Sequence, residues 1–212
     1  GNGNNFTPQN FSVAAGIDND SLEDTPTNNY CTLNPLVKTY GSYTYKQGNL
    51  QGDSSGAWNL SQSTFAAKSG KWYCEVVFTA GTNSNWYLGA TIQNVDAHTI
   101  NPQERTGIYY YGYGNKKVNG ALTSYGASYT TNDVIGIALN IDDGEVTFYK
   151  NGASQGAIDF TYHFYGPPVC FAFSVINDVI NVNFGQRAFS YTPPTGFKTF
   201  CSQNLPTPTI KK

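Results

Sequence analysis

The hydrophobic and polar positions of this 212-residue chain alternate in short runs that turn residues separate. In the clearest segment, residues 134–141 and 145–150 both alternate, and an Asp-Asp-Gly turn at 142–144 lies between them. An Asn-Gly pair at 151–152 ends the segment. Because Asp-Gly and Asn-Gly tolerate positive φ angles in tight turns, this pattern predicts a β-hairpin followed by another reversal.

Strand-like runs of this kind recur along most of the chain. They lie at 56–60, 71–80, 86–93, 106–112, 134–141, 145–150, 168–176 and 179–184. No stretch of useful length has the 3.6-residue period of a helix, and no repeat of about 20 to 50 residues is visible. We therefore predict an all-β fold, a two-sheet antiparallel β-sandwich with little helix.

The length of the chain suits one sandwich domain with extended N- and C-terminal arms. We expect an N-terminal arm and first strands at 1–54, the sandwich core at 55–205, and a C-terminal linker or tail at 206–212. Since the chain contains no Met and begins with Gly, we expect a domain excised or processed from a longer protein. The apolar members of the strongest runs should form the core: Trp72, Val76, Phe78, Ile137, Leu139, Phe148, Phe173, Val182 and Phe184.

The hairpin and four other segments carry motifs of a known family. The order D-V-I-G-x5-D-x-G-x3-F-Y-x-N-G at 133–152 resembles the central signature of SPRY domains. Further matches follow the family's order: G-K-W-Y-x-E at 70–75, L-G-A at 88–90, N-F-G-Q-x-x-F at 183–189 and P-P-x-G-F at 193–197. The resemblance covers roughly residues 55–205. It implies a concanavalin-like jelly roll that binds partners and does not catalyse a reaction. Cys74 departs from the family, which usually carries an aromatic residue there.

The outer segments narrow the resemblance further. They are similar to the flanks of SPRY-like domains in tailed-phage and prophage structural proteins. The matching residues are 25–30, 32–35, Asn204, Leu205, Pro206 and Pro208. This resemblance implies a virion protein, located in the phage particle and assembled in the host cytoplasm.

The composition favours neutral contacts over electrostatic ones. Charged residues make up only 12% of the chain, whereas aromatic residues reach 15%. The net charge of −2 argues against a nucleic acid partner, because phosphates require a clustered basic face. Lys116 and Lys117 form the only adjacent basic pair before the terminal lysines. No run of about 18 apolar residues and no signal pattern is present, so we expect no membrane insertion.

The four cysteines allow three disulfide pairings. Alternation places Cys74 on the inward face of its strand, as a small apolar filler, and Cys170 opposite its aromatic neighbours. No spacing suggests zinc, and His98 and His163 are the only histidines. We favour free thiols, with a Cys31 to Cys201 bridge between the arms as the main alternative.

Aromatic residues beside Asn, Gly and Ser mark the candidate binding site. Rigid Tyr and Trp rings with adaptable polar neighbours are typical of binding loops. The candidate residues are Asn85, Trp86, Tyr109, Tyr110, Tyr111, Tyr113, Asn115 and Tyr125. The alternative is that the strand tyrosines pack inside, since Tyr109 and Tyr111 share one face and Tyr110 the other.

An enzymatic site would need paired carboxylates, an activated nucleophile or a metal. Glu75 is the only carboxylate on its strand, so it does not form the pair that a glycosidase needs. The acidic cluster Asp142, Asp143 and Glu145 is explained by a hairpin turn, which is too short to wrap calcium alone. We therefore predict a non-enzyme without cofactor or metal.

The sequence thus predicts a non-enzymatic binding or adhesion module of a phage tail or fibre. The expected partner is a host cell-surface glycan or a neighbouring virion subunit. A virion assembly or decoration module without receptor binding, and a generic peptide-binding SPRY module, are the alternatives, and a homo-oligomer is open. An exposed groove lined by Tyr and Trp would favour glycan, and a flat apolar patch would favour a subunit contact.

Overall fold

The computed structural model describes residues 25, 27–37, 42–80, 85–93, 107–161 and 166–206. The arm residues before position 25, the tail after Pro206, and both histidines lie outside this part of the chain. Fourteen strands occur within it: β1 Ser42–Lys46, β2 Gln51–Ser55, β3 Asn59–Gln62, β4 Lys71–Ala80, β5 Trp86–Ile92, β6 Gly107–Tyr111, β7 Asn115–Val118, β8 Ala121–Ser124, β9 Val134–Asn140, β10 Glu145–Lys150, β11 Ala153–Asp159, β12 Val169–Val175, β13 Asp178–Asn183 and β14 Lys198–Thr199. One short 3-10 helix, Ser202–Asn204, is the helical segment of the described residues.

The strands form two sheets that enclose one core. The first sheet has the order β1-β2-β13-β4-β9-β10-β11, and β14 pairs with β4 in parallel. The second sheet has the order β3-β12-β5-β6-β7-β8 and is antiparallel. All nine predicted core residues are buried, at 2% exposure or less. The predicted all-β, two-sheet antiparallel sandwich is therefore confirmed.

The signature motif sets the local backbone of the β9–β10 hairpin. Gly136 lies on the outer face of the first sheet, where a Cβ atom would overlap the Tyr73 hydroxyl, so glycine is the residue that lets the ring lie flat. Asn151, at φ 48°, closes the next turn. Its side chain accepts from the Val134 backbone at 2.8 Å and donates to Asp133 at 2.7 Å. The motif therefore encodes packing and turn geometry.

Six strands have no matching run in the sequence prediction. They are β1, β2, β7, β8, β11 and β14, which are short, largely polar or exposed. The predicted run at 56–60 was placed too early: residues 56 to 58 form a turn with Gly56 at φ 84°, and β3 begins at Asn59. Alternation identifies strands that bury one face, so strands without a buried apolar face are missed.

The segment before β1 closes one edge of the second sheet. Leu33 forms a bridge with Ser63, and the Asn34 amide donates to the Gln62 carbonyl at 2.8 Å. Tyr30 pairs with Cys201 near the other end of the domain. The N-terminal segment thus contacts both the edge of β3 and the residues that follow β14.

All four cysteines are buried free thiols. The pairing of Tyr30 with Cys201 places Cys31 opposite Phe200, and the Cys31 amide donates to the Phe200 carbonyl at 2.9 Å. Neighbouring residues of an extended chain point to opposite sides, so the Cys31 and Cys201 side chains diverge. The alternative Cys31 to Cys201 bridge is therefore incompatible with this ladder. Burial raises the pKa of the Cys31 thiol to about 11.

Candidate interaction surface

Four aromatic rings form a continuous row on the outer face of the second sheet. We call Trp58, Tyr87, Tyr111 and Tyr113 the aromatic strip. Ring centroids are 5.3 Å apart between Trp58 and Tyr87, and 4.4 Å between Tyr87 and Tyr111. Tyr113 continues the row at 5.1 Å from Tyr111. Each ring therefore restricts its neighbour, and the strip is held in shape before any partner binds.

Strand register explains why these rings meet. Tyr87 on β5 lies directly opposite Tyr111 on β6, and both side chains point away from the core. The Tyr111 hydroxyl donates to the Asn85 side-chain oxygen at 2.7 Å. The Lys117 amino group lies 5.2 Å from the centroid of the Tyr87 ring, a cation–π contact. The Tyr87–Tyr111 pair thus forms the centre of the strip, and Asn85 and Lys117 contact these rings from the sides.

Exposure increases from Tyr87 through Tyr111 to Tyr113. Tyr87 is 7% exposed, Trp58 and Tyr111 are half-buried, and Tyr113 is 55% exposed. Leu122 on β8 is 50% exposed on the same face, opposite Lys117. Two of the four exposed large hydrophobic side chains of the described residues thus belong to this region. An apolar surface of this kind is typical of a contact site.

Three predicted site residues are core residues, and their predicted surface role is wrong. Trp86, Tyr109 and Tyr110 are at most 1% exposed. Trp86 begins β5 on its inward face, stacks on Phe78 at 3.8 Å and donates to Asp178 at 2.5 Å. Composition indicated an aromatic cluster, but alternation assigns Trp86 to the same face as the buried residues of its strand.

The two tyrosines are buried on opposite faces of β6. Tyr110 packs in the main core and donates to the Ala127 carbonyl, whereas Tyr109 packs with Leu60 and Ala172 on the outer face. The opposite orientation of Tyr109 and Tyr110 agrees with the alternation expected from the sequence. Neither ring is available to a partner in this arrangement.

The remaining predicted residues lie near the strip but differ in orientation. Asn115 pairs with Tyr111 across β6 and β7 and is half-buried on the outer face. Tyr125 turns toward the core: its ring packs edge-on against Tyr110 at 5.2 Å, and its hydroxyl donates to the Gly156 carbonyl. The structure thus brings Asn85, Tyr111, Tyr113 and Asn115 together. Their binding role stays a prediction.

The candidate residues selected from the sequence leave out three members of this surface. Trp58 lies in the turn before β3, where no alternation marks it. Tyr87 could have been found by pairing the outward positions of 86–93 and 106–112. Leu122 lies in a strand that the hydrophobic pattern did not predict, so no sequence signal identified it.

A buried carboxylate lies beneath one end of the strip. Asp178 is 3% exposed, and burial raises its pKa to about 6, although hydrogen bonds from Trp86 and Val179 act in the opposite direction. On the surface itself, desolvation raises the pKa of Tyr87 to about 12. The Tyr87 ring therefore remains neutral at physiological pH, as expected of a surface that binds by packing and neutral hydrogen bonds.

The carboxylates considered for catalysis have structural partners instead. Glu75 is 3% exposed and accepts hydrogen bonds from the Ser190 and Tyr191 amides at 2.7 and 2.9 Å. Asp142 accepts from the Gly70 amide at 2.7 Å, and Asp143 pairs with Lys71 at 3.0 Å. Within the described ranges, no three His, Cys, Asp or Glu side chains are placed to hold a metal ion.

One concavity of the described residues is remote from the aromatic strip. It has a volume of about 690 Å³ and is lined by Gly70, Asp142, Lys198 and residues 203–206. Its lining is mainly polar and includes none of the strip residues. The strip is thus separate from this concavity. Separately, no helix of the described chain is long and apolar enough to cross a membrane.

The fold and surface define a β-sandwich whose outer sheet face can contact a partner. The SPRY domain family matches residues 71–187, and the chain belongs to this family. SPRY domains are protein–protein interaction modules and are generally non-enzymatic. The resemblance seen in the sequence motifs is therefore confirmed for the family.

Solved structures and relatives agree with this assignment. The SPRY domain of human HERC1 aligns with a TM-score of 0.55 and 17% identity, covering 75% of this chain and 95% of that one. The TRIM65 PSpry domain aligns with a TM-score of 0.56 and 15% identity, covering 73% and 90%. At these identities the likeness concerns the fold.

Two curated relatives are similar in sequence. The ATP-dependent RNA helicase DDX1 of Xenopus laevis is 28% identical over 141 residues, or 66% of this chain. The ATP-dependent RNA helicase Ddx1 of Drosophila melanogaster is 29% identical over 137 residues, or 62% of this chain. The match spans 18% of the length of each relative.

Proposed function

We propose that this chain is a non-enzymatic contact module of a phage virion, in a tail or fibre, that docks on a neighbouring virion subunit through the aromatic strip. We infer the contact surface from Tyr113, which is 55% exposed at the end of a row of mutually packed rings. Rings already fixed in place lose little side-chain freedom on binding, so their contact area contributes efficiently to affinity.

The packing of the strip favours a protein partner over a sugar. Tyr87 and Tyr111 lie face to face, with an interplanar angle of 10°, so each ring uses one face against the other. A sugar stacks on an open ring face, whereas a protein side chain can pack against ring edges and hydroxyl groups. A continuous row of rings also offers the extended contact area expected of a subunit contact. A second copy of this chain is one form that the neighbouring subunit could take.

A host cell-surface glycan is the second candidate partner. It is favoured by Tyr113, whose exposed ring could present a face to a sugar. This candidate would use only the end of the strip, so its contact area would be smaller. A peptide-binding role outside a virion would use the same surface.

The support for the virion setting is the similarity of the flanking segments, 25–35 and 204–208, to those of phage structural proteins. Immunoelectron microscopy with antibodies against this chain, on purified particles of the phage or prophage that encodes it, tests the setting. We expect labelling of the tail or a fibre. If neither antibody labelling nor mass spectrometry detects the chain in the particles, a virion role is ruled out.

Cross-linking in the intact particles would identify the neighbouring subunit. Binding of that subunit to the purified chain should then weaken by about 1 to 3 kcal/mol in Tyr113→Ala, as expected of an exposed hot spot. The matched control is Tyr191→Ala, because Tyr191 is 37% exposed on the segment that covers the first sheet. Equal losses in both variants, or none in Tyr113→Ala, would contradict the proposed surface.

Salt dependence and a glycan array separate the remaining alternatives. A contact made by packing and neutral hydrogen bonds should change little between low and physiological salt. A steep dependence would assign binding to Lys116 and Lys117 instead. Specific binding of the chain to a host glycan, lost in Tyr113→Ala, would favour the receptor-binding candidate.

A further inference from the structure

The two sheets have four edge strands, and three of them are protected. The edge of β3 is covered by Leu33 and Asn34. At the other edges, β11 has an irregular register opposite Thr147 and Tyr149, and β1 carries the Lys46–Asp53 ion pair at 3.0 Å. Coverage, irregular register and charge are the usual devices that prevent an edge from pairing with another chain.

The fourth edge, β8, has none of these devices among the described residues. Its sequence, Ala-Leu-Thr-Ser, has no charge and no proline, and its pairing with β7 is regular. All four residues are exposed, and Leu122 is exposed by 50%. An uncharged, regular edge with an exposed leucine is suited to pair with another strand.

The hairpin register determines which backbone groups are open. Asn119 and Gly120, at φ 47° and 84°, form a two-residue turn, so Val118 and Ala121 are its flanking pair. Flanking residues of such a turn exchange hydrogen bonds, and the next hydrogen-bonded pair includes Thr123. The amide and carbonyl groups of Leu122 and Ser124 therefore point outward. Neither residue has a backbone partner outside β7 in the described chain.

We propose that β8 binds an extended, acidic segment of a partner protein as an added strand. The open backbone groups of Leu122 and Ser124 select an extended chain, because only such a chain presents amides and carbonyls at matching spacing. Leu122 adds an apolar contact on the outer face.

The charge of the neighbouring strand favours an acidic occupant. Lys116 and Lys117 lie across from Thr123 and Leu122, and neither forms an ion pair with a described carboxylate. Their amino groups lie 5.8 Å and 5.2 Å from the ring centroids of Tyr125 and Tyr87. An added strand would lie about 10 Å from β7, a separation that lysine and glutamate side chains together span.

The same charges favour an acidic segment over a second copy of this chain at the edge. Pairing of β8 with itself would leave the two β7 strands about 14 Å apart and would bring no counter-charge to Lys116 or Lys117. An acidic segment would neutralise them. The edge contact does not depend on the aromatic strip, although the two surfaces adjoin through Lys117.

The probe for this proposal is a blocked seven-residue peptide in which valine alternates with glutamate. Nuclear magnetic resonance of the labelled chain would follow its titration at millimolar concentration. We expect saturable shifts that are largest at the Leu122 and Ser124 amides. A peptide with lysine in place of glutamate should bind about tenfold more weakly. A glutamate peptide methylated on every backbone amide, which has no N–H to donate along either edge, should not bind.

Variants of the edge complete the test. Leu122→Pro should abolish binding, because it removes an outward amide at a position where proline is compatible with an edge strand. The matched control Leu122→Ala keeps the amide and should retain most of the affinity. If Leu122→Pro misfolds, the methylated peptide tests the same hydrogen bonds on the unchanged protein.

Three results would overturn the proposal. They are absence of shifts at Leu122 and Ser124, equal binding of the lysine peptide, or undiminished binding to a folded Leu122→Pro variant. Self-association that occurs without peptide and disappears in Leu122→Pro would assign the edge to a second copy, which also overturns it. None of these outcomes bears on Tyr113, so failure here is distinguishable from failure of the strip.

Discussion

The outer faces of the two sheets both carry tyrosines, but among the described residues only one face is covered by another segment of the chain. On the first sheet, Tyr73 packs edge-on against Phe189 at 4.9 Å, and Glu75 accepts the Ser190 and Tyr191 amides. We call this the closed face. On the second sheet, the aromatic strip ends at exposed Tyr113, and we call it the open face.

The difference shows what closes an aromatic face. On the closed face, a buried carboxylate binds two consecutive backbone amides and so fixes the covering segment at residues 188–191. The open face has a buried carboxylate as well, Asp178, but it lies beneath the sheet and binds Trp86. Glu75 thus holds the segment that covers the first sheet, whereas Asp178 contacts the second sheet from inside the core. The predictions below test this contrast, from the largest effect to the smallest.

The largest effect is expected for Trp86, which packs in the core beneath the open face. Trp86→Ala should lower the free energy of unfolding by about 3 to 5 kcal/mol, because it leaves a cavity beside Phe78 and an unpaired Asp178. Urea unfolding measures this loss. Trp86→Phe, which keeps the stacking but not the hydrogen bond, should lose less. A loss below about 1 kcal/mol in Trp86→Ala would indicate that Trp86 lies on the surface and not in the core.

The buried carboxylate beneath the open face should make stability depend on pH. The folded chain holds the Asp178 proton up to a pKa of about 6, whereas the unfolded chain releases it near 3.8. The free energy of unfolding should therefore fall as pH rises from about 4 to 6, by roughly 3 kcal/mol from this group.

Asp178→Asn isolates that contribution. Its amide oxygen can still accept from Trp86, but it does not ionise. The variant should match the wild type near pH 4 and be more stable at pH 7, as measured by urea unfolding at each pH. Parallel pH profiles for the two proteins would show that Asp178 has an ordinary pKa.

The anchor of the closed face is tested by Glu75→Ala. Loss of the carboxylate leaves the Ser190 and Tyr191 amides without their acceptor, at a cost of about 2 to 3 kcal/mol. Hydrogen exchange at these two amides should accelerate more than elsewhere. Glu75→Gln, which keeps one oxygen acceptor, should lose less stability. Unchanged exchange at positions 190 and 191 would mean that the segment is fixed by other contacts.

The smallest stability effect is expected on the open face itself. Tyr113→Ala should change the free energy of unfolding by less than about 0.5 kcal/mol, because the ring is exposed and ends the strip. Thermal unfolding measures this directly. A large loss of stability would show that Tyr113 is part of the packing, and its effect on binding would then have a structural cause.

The central strands of the first sheet, β13, β4, β9 and β10, could be predicted from sequence. Runs 71–80 and 145–150 match β4 and β10 at both ends, because alternating apolar residues and sharp turns define them. Strands β7 and β8 were missed because neither buries an apolar face. Their hairpin depends on the Asn119-Gly120 turn, which is a weaker signal when no alternation surrounds it.

The candidate site was predicted only in part, for a related reason. Residue type identified the region around Tyr111 and Tyr113, but it could not separate surface rings from buried ones. Trp86 and Tyr87 are adjacent and equally aromatic, yet one enters the core and the other the strip. That distinction depends on which sheet face meets the core, and Trp58 enters the strip only through tertiary packing.

The pairing of residues 28–30 with the segment after β14 bears on how this domain can be joined to other chains. The Asn29 carbonyl accepts from the Ser202 amide at 2.8 Å, and the Gln203 amide donates to Asn28 at 3.2 Å. The two ends of the described part of the chain are therefore neighbours. A domain with adjacent entry and exit can be inserted into a surface loop of a host protein without separating the ends of that loop.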